Sequence, residues 1–430
     1  MSTSTSDRTA VARPPAARTG GAFVWVWLPD ATEPVVAGRI AMTTSGEHRF
    51  AYGESYLARP AAISLFTPEL PLGRGWIDAP DGMDMAGCLW DASPDSWGQR
   101  VIIARLTGLS GAAADAVQFD KLTFLLESGS NRIGALDFQA SATEYVPRAQ
   151  QATLDELHAA AEALDSGELD PDLAIALVDG TAVGGARPKV LVADGDTEYI
   201  AKLSMSTDTY SVVKAEAVAM ELARRVGIDV PTTRLVRSLG RDVLLVQRFD
   251  RPGGGRRRQL VSALTMQGFG DFLGARYSSY LDVLEVLRAG ASSGKGLARR
   301  VFERIVFNVL TGNTDDHARN HAAFWDGEHL DLTPAYDLCP QPRSGTEANQ
   351  AMAISSTGER RSRLVSCLDA CAGYDLSRTQ ARAIIDRQVT LIREQWADAA
   401  DLCELTETDR TFLFGRQVLN GYAFEGYPTA

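Results

Sequence analysis

Apolar residues fall into short runs in the first half of the chain and into helix-spaced stripes in the second. Phe23-Val24-Trp25-Val26-Trp27-Leu28 and a second run at 35–40 flank the turn-forming Pro29-Asp30-Ala31-Thr32, which predicts two strands. Thr153-Leu154-Asp155-Glu156 has the form of a capping box, in which the Thr side chain caps the third amide and the Glu reaches back. It opens an Ala-rich helix to about residue 164. Runs at 189–192 and 198–203 predict two more strands, and at 212–226 Val218, Leu222 and Val226 share a helical face before Gly227 ends the helix. Strands are predicted again at 233–237 and 243–249. Arg251-Pro252-Gly253-Gly254-Gly255-Arg256-Arg257-Arg258 then breaks the pattern with both flexibility and charge, and is expected to be a solvated loop between lobes. Beyond residue 260 helical spacing dominates. Val301, Ile305, Val306 and Val309 mark an apolar helix at 297–310, and further packing helices are expected at 378–396 and 408–419.

This succession divides the 430 residues into four stretches. A Ser/Thr/Ala/Arg-rich tail at 1–20 has almost nothing to bury and is expected to be disordered. A mixed α/β region follows at 21–148, with no obvious chemistry. A strand-rich unit occupies 149–250 and a mainly helical unit 251–430. The composition, 45% hydrophobic and 23% charged, is that of a globular protein, and a net charge of -12 argues against direct, strong nucleic-acid binding. Five cysteines, odd in number and without a Cys-x-x-Cys pair, fit a reducing compartment. No apolar run approaches the roughly 18 residues of a membrane span, and no signal-peptide core follows Met1, so a cytoplasmic protein without membrane contact is expected.

The chemistry concentrates in Asn313-Thr314-Asp315-Asp316-His317-Ala318-Arg319-Asn320 and Leu332-Thr333-Pro334-Ala335-Tyr336-Asp337. Phosphoryl transfer needs one carboxylate to orient and deprotonate a hydroxyl, and a second carboxylate with an amide oxygen to hold Mg²⁺ against nucleotide phosphates. Asp315, Asn320 and Asp337 are residues of these types, at the Asp-x-x-x-x-Asn spacing of a kinase catalytic loop, although no His-Arg precedes Asp315 and no Phe-Gly follows Asp337. Upstream, Gly184-Gly185-Ala186-Arg187-Pro188-Lys189 can curl backbone amides around phosphate oxygens, while a plain Gly turn is the simpler reading of the segment alone. Lys202 lies in an apolar strand, where an ammonium needs a partner, and Glu216 on the next helix is a natural one. Gln247, Phe249 and Asp250 end a strand just before the Arg-rich break, where an adenine would dock on backbone groups and Asp250 could bond a ribose hydroxyl. His317 and His321, four apart, invite a zinc reading. It is disfavoured because the run begins as a loop and lacks a Glu base, and His321 and His329 read as surface or turn histidines. The order Gly loop, strand Lys, helix Glu, hinge, Asp and Asn, metal Asp is that of an α+β, protein-kinase-like, two-lobed fold. Here it carries an extra N-terminal mixed α/β subdomain and a mainly helical C-lobe.

On these segments, together with residues 90–97 and Ile133-Gly134-Ala135-Leu136, the chain resembles the HipA family of bacterial Ser/Thr kinases, toxins of HipBA-type toxin-antitoxin modules. The resemblance runs from about residue 24 to the C-terminus. It implies ATP and Mg²⁺ as cofactors, Asp315 as catalytic base, and Asn320 and Asp337 as metal ligands. His317 would lie beside the phosphates, with Lys202 contacting them and Glu216 holding Lys202. Residues 185–189 would form the phosphate loop, and backbone groups of Gln247 and Phe249 would bind adenine. It further implies a protein substrate, in known members an aminoacyl-tRNA synthetase, and a helix-turn-helix antitoxin through which DNA is met only indirectly. The family often carries an autophosphorylated serine before the glycines, and this chain has Thr181-Ala182-Val183 there. A small-molecule phosphotransferase and a pseudokinase subunit of a repressor complex are the competing readings.

Overall fold

The computed structural model describes residues 21–148, 152–167, 177–178, 187–343 and 345–428; the tail expected to be disordered lies outside them. The first unit is an antiparallel sheet of order β3-β2-β1-β4, formed by β1 (Ala22–Val26), β2 (Val35–Met42), β3 (His48–Tyr52) and β4 (Leu136–Gln139). The apolar first run therefore becomes an inner strand, paired on both edges. The longer helices of this unit are α1 (Ser96–Thr107) and α2 (Lys121–Glu127). Each is capped by an aspartate: Asp95 accepts from the Gly98 amide at 2.7 Å and Asp120 from the Leu122 amide at 2.7 Å.

The second unit opens with α3 (Leu154–Ser166), where the capping box is formed, Glu156 N–H to Thr153 Oγ1 at 3.2 Å and Thr153 N–H to Glu156 Oε2 at 2.8 Å. Its antiparallel sheet has the order β5-β6-β8-β7, with β5 (Lys189–Asp194), β6 (Thr197–Leu203), β7 (Thr233–Ser238) and β8 (Arg241–Gln247). The helix α4 (Val212–Val226) spans the residues its apolar stripe predicts. Alternation along β8 separates two cores. Leu244 and Val246 join Val218 and Leu222 of α4, whereas Val243 and Leu245 join Trp97 and Val101 of α1 and Leu157 and Ala160 of α3. Each fully buried leucine there stabilises by about 1.5–3 kcal/mol relative to exposure.

The third unit contains a small sheet of order β11-β10-β9, with β9 (Gln259–Ser262), β10 (Ala322–Trp325) and β11 (Leu330–Leu332). Its helices include α5 (Tyr280–Gly290), α6 (Leu297–Thr311) and the long α7 (Arg378–Leu402), which packs against α4. The helix expected at 408–419 is shorter, Glu407–Leu413, because Phe414 turns extended and Gly415 takes a φ of 80°. One apolar cluster runs from Ala22 through α4 and α6 to Tyr427, so the first unit shares its core with the third. Among the described residues no helix is long and apolar enough to cross a membrane.

The Arg-rich break departs only in part from the solvated loop expected of it, since Arg256 and the neighbouring Gly254 and Gly255 are exposed. The Arg257 guanidinium lies 3.5 Å from the Trp27 ring centroid and donates to the Ser130 carbonyl at 2.9 Å, while Arg258 lies 3.2 Å over Phe324. Their aromatic partners are distant in sequence, so cation–π stacking ties this loop to the first and third units.

Candidate active site

Helix α6 delivers the chain into the loop through Gly312, whose φ is 69° and where a Cβ would sit 2.8 Å from the Gln417 carbonyl oxygen. Only glycine fits that approach. Beyond it, two adjacent aspartates separate. Asp316 is 1% exposed and its Oδ2 accepts from Tyr280 Oη at 2.6 Å, Asn308 Nδ2 at 2.7 Å and His321 Nε2 at 2.8 Å. Asp315 is exposed. The inner carboxylate thus anchors the loop and turns the outer one to the surface. A short 3₁₀ turn, Ala318–Asn320, follows; Asn320 Nδ2 donates to the Asp315 carbonyl at 3.2 Å and Tyr336 Oη to the Arg319 carbonyl at 2.8 Å. His321 is not the surface or turn histidine expected, being 6% exposed and bonded to Asp316. His329 does sit in a turn, against Asp326.

Lys202 of β6 reaches two carboxylates at once, Glu216 of α4 at 2.5 Å and Asp337. These residues lie 14 and 135 positions away in the chain. Desolvation works against the ammonium, but Asp337 and then Glu216 outweigh it and hold Lys202 protonated. Burial acts to raise Asp337, yet Lys202 and Lys189 hold it well below the usual carboxylate range. Glu216 is pushed up, chiefly by burial, with Lys202 opposing. Asp315 is also raised, first by partial burial and then by Asp337 and Asp316, with His317 opposing. Asp337 has a φ of 58°, a left-handed conformation uncommon for a residue with a side chain, as is found where backbone strain serves a site. The His317 ring Nδ1 is buried and makes no hydrogen bond among the described residues.

With its amide nitrogen spent on Asp315, Asn320 keeps an oxygen to offer. That oxygen and the Asp337 carboxylate are both oxygen donors, the chemistry that suits a hard cation such as Mg²⁺. Among the described residues no three His, Cys, Asp or Glu side chains converge as a metal cage. Mg²⁺ held by one or two protein groups and nucleotide phosphates needs none.

Of the other residues singled out, Thr181, Gly184, Gly185 and Ala186 lie outside the described residues. Arg187 is ion-paired with Asp208, and Lys189, 5% exposed, lies directly opposite Lys202 in the β5–β6 register. Gln247 already donates its amide to the Thr232 carbonyl at 2.9 Å, which leaves its carbonyl as the backbone group to offer. The half-buried Phe249 ring rests against Tyr336 at 5.7 Å and Phe324 at 5.8 Å. Asp250 does not fit the ribose role. It is 2% exposed, and its oxygens accept from Arg248 (2.7 and 3.0 Å), Arg251 (2.8 Å) and the Gly134 amide (2.9 Å). Arg248 also donates to the Arg132 carbonyl at 2.6 Å, so this cluster clamps the hinge onto the first unit.

The first unit, read as free of chemistry, sends two aspartates toward the site. Asp91 accepts from Ser262 N–H and Oγ at 2.8 and 2.7 Å and lies 3.9 Å from Arg319 of the loop. Asp95 lies 4.0 Å from Lys189 Nζ. The only local signal was the run Trp90-Asp91-Ala92-Ser93-Pro94-Asp95, which carries two aspartates but does not name their partners. A separate cavity of about 760 Å³ in the first unit is lined by Gln99, Arg100, Lys121 and the His48–Asp120 pair; no residue of the Lys202–Asp337 cluster borders it.

The HipA-like C-terminal domain family matches residues 181–396, half of the chain, and the HipA N-terminal domain family matches 26–139. A Sinorhizobium fredii protein named "Putative kinase Y4mE" is 26% identical over 70% of this chain and 74% of its own length. The Shewanella oneidensis protein named serine/threonine-protein kinase toxin HipA is 27% identical over 36% of this chain and 42% of its own. A chain in the solved complex of Shewanella oneidensis MR-1 HipA, HipB and operator DNA superposes with a TM-score of 0.65 at 19% identity, covering 91% of this chain and 95% of that one. That similarity shows the two-lobed, kinase-like fold with its additional N-terminal subdomain. With family matches on both sides of the hinge and a shared fold over nearly the whole length, the chain belongs to the HipA family.

Proposed function

We propose that the chain is an ATP-dependent protein kinase acting on Ser or Thr hydroxyls, and the toxin of a toxin-antitoxin pair. The observation that carries this reading is Lys202 bridging Glu216 and Asp337 beside the loop that carries Asp315 and Asn320. Lys202 aims a fixed positive charge at the α- and β-phosphates, and Glu216 prevents it from swinging away. Asp337 and Asn320 would hold Mg²⁺, which when bound neutralises phosphate charge and orients the transferred group. Asp315 accepts the hydroxyl proton as the substrate oxygen attacks the γ-phosphorus, and the bond from that phosphorus to the β,γ-bridging oxygen breaks to release ADP. His317, electrostatically close to both Asp315 and Asp337, keeps an unbonded nitrogen suited to a phosphate oxygen. Residues 184–189 would cradle the phosphates, and the Gln247 carbonyl and Phe249 backbone would receive adenine. The same reading divides the chain into an N-terminal subdomain at 21–148, an N-lobe at 149–250 and a C-lobe at 251–430.

The named kinase relatives support ATP as donor, and the complex with HipB and operator DNA supports a neutralising antitoxin that contacts DNA on the chain's behalf. A net charge of -12 fits that indirect role. The substrate class is a protein of translation such as an aminoacyl-tRNA synthetase, and the place of action is the cytoplasm. Thr181 takes the place of the family's autophosphorylated serine.

Induced expression of wild type and Asp315→Ala, followed by phosphoproteomics, tests this reading. Wild type is expected to arrest growth and to add phosphate to a small set of Ser/Thr sites, and the variant to do neither. Arrest by both, or by neither, overturns it. Intact mass after incubation with ATP and Mg²⁺ checks Thr181, since an unmodified but active enzyme excludes that site.

A further inference from the structure

We infer that Asp95, which belongs to the first unit, is a positioning residue for nucleotide binding: it holds Lys189 beside Lys202, so that two lysines on neighbouring strands face the phosphates. This rests on the kinase reading above. Lys189 and Lys202 are directly opposed in the β5–β6 ladder, and directly opposed residues in antiparallel strands project from the same face. Lys202 has Glu216 and Asp337 for company. Lys189, 5% exposed, is a second buried cation beside the first, and such a pair is tolerable only with further negative charge.

Asp95 supplies it from outside the kinase lobes. Its side chain is 7% exposed, that of Lys189 is 6% exposed, and Oδ2 stands 4.0 Å from Nζ. The two oxygens divide their work. Oδ1 caps α1 by accepting from the Gly98 amide, whereas Oδ2 is buried and accepts no hydrogen bond among the described residues. Capping alone is met as well by Asn or Ser and does not call for a buried charge. The orphan oxygen is explained by the ammonium it faces. Burial pushes the Asp95 carboxyl up to about 7 and lowers Lys189, with each partner opposing the shift of the other. Asp337 also attracts Lys189, and Asp95 adds a second carboxylate, 4.0 Å from the ammonium.

The test uses the full chain with Asp95→Asn and Asp95→Ser, both cap-competent and uncharged, alone and on a Lys189→Ala background. ATP KM and kcat are measured on an unmodified protein that the wild type phosphorylates, ATP Kd by titration calorimetry, and folding by thermal melt. Removing a negative charge near the phosphates would by itself tighten ATP. A rise in KM and Kd therefore runs against the direct charge effect, and the Lys189→Ala background tells whether it arises through Lys189. The expected rise is on the order of tenfold in both constants, with kcat within about twofold, because contact to the phosphates is made in ground and transition states alike. On the Lys189→Ala background the same substitutions should change neither constant, since the partner is gone. An unchanged or lowered KM in both neutral variants, or an equal rise on the Lys189→Ala background, overturns the inference while leaving the kinase reading intact. A wild type that binds ATP but transfers phosphate to no protein overturns the kinase reading instead, and is told apart because Kd for the variants is still measured.

Discussion

Two neighbouring aspartates should give opposite phenotypes. Asp316→Ala removes the one oxygen that accepts from Tyr280, Asn308 and His321, whose exposures are 1%, 0% and 6%. Each buried donor left without a partner costs about 1–3 kcal/mol, and because water entering the gap re-satisfies some of them the net loss is about 3–5 kcal/mol. With an unfolding entropy of about 2.1 cal/mol/K per residue, a chain of 430 residues loses about 1 °C per kcal/mol, so the melting temperature should fall by about 3–6 °C. Asp315→Asn instead alters an exposed side chain and should move the melting temperature by less than about 1 °C, within the range of ordinary surface substitutions. Phosphate transfer should fall in both, through loss of the base in one and a displaced loop in the other. Scanning calorimetry, paired with transfer of radiolabelled phosphate from ATP to a protein substrate, reads both quantities. A melt of Asp316→Ala indistinguishable from wild type, or an Asp315→Asn melt lowered as far as that of Asp316→Ala, would refute the division of labour.

Two further outcomes follow from the electrostatics. Asp315 is raised above its ordinary 3.8 and must be ionised to act as a base, so transfer should decline as pH falls through that raised value. Asp337 is depressed in the folded state, so its stabilising contribution is present above an unfolded value of about 3.9 and is lost only as pH falls further, through the folded pKa. Activity should thus fail before structure on acidification, and coincident loss in a pH–rate profile and far-UV circular dichroism would count against it. At the hinge, Asp250→Asn leaves Arg248 and Arg251 short of a buried counter-charge and should destabilise by about 3–5 kcal/mol without altering ATP KM. A raised KM with an unchanged melting temperature would restore the ribose role.

Much of the fold was legible because its signals are local. The stripe of Val218, Leu222 and Val226, the Thr153–Glu156 box and the glycines after the helices act over a few residues, so the sequence alone determined α3, α4 and α6 nearly to their ends. The ordered set of phosphate-handling residues was legible for the same reason, as a succession of short segments. What the sequence could not supply is which side chains meet across the chain. Asp315 and Asp316 are identical in type, and only three buried donors from α5, α6 and the loop itself decide which faces inward. Asp250 looked available until Arg248, Arg251 and Gly134 claimed it, and of the three arginines read as solvated, Arg257 and Arg258 lie over Trp27 and Phe324 while Arg256 stays exposed. Asp95 reads from its neighbours as a helix cap; its second oxygen acquires a meaning only when tertiary structure brings Lys189, nearly a hundred residues later, to its side. Periodicity and capping are fixed by neighbours in sequence, whereas the charge on a buried carboxylate is set by neighbours in space.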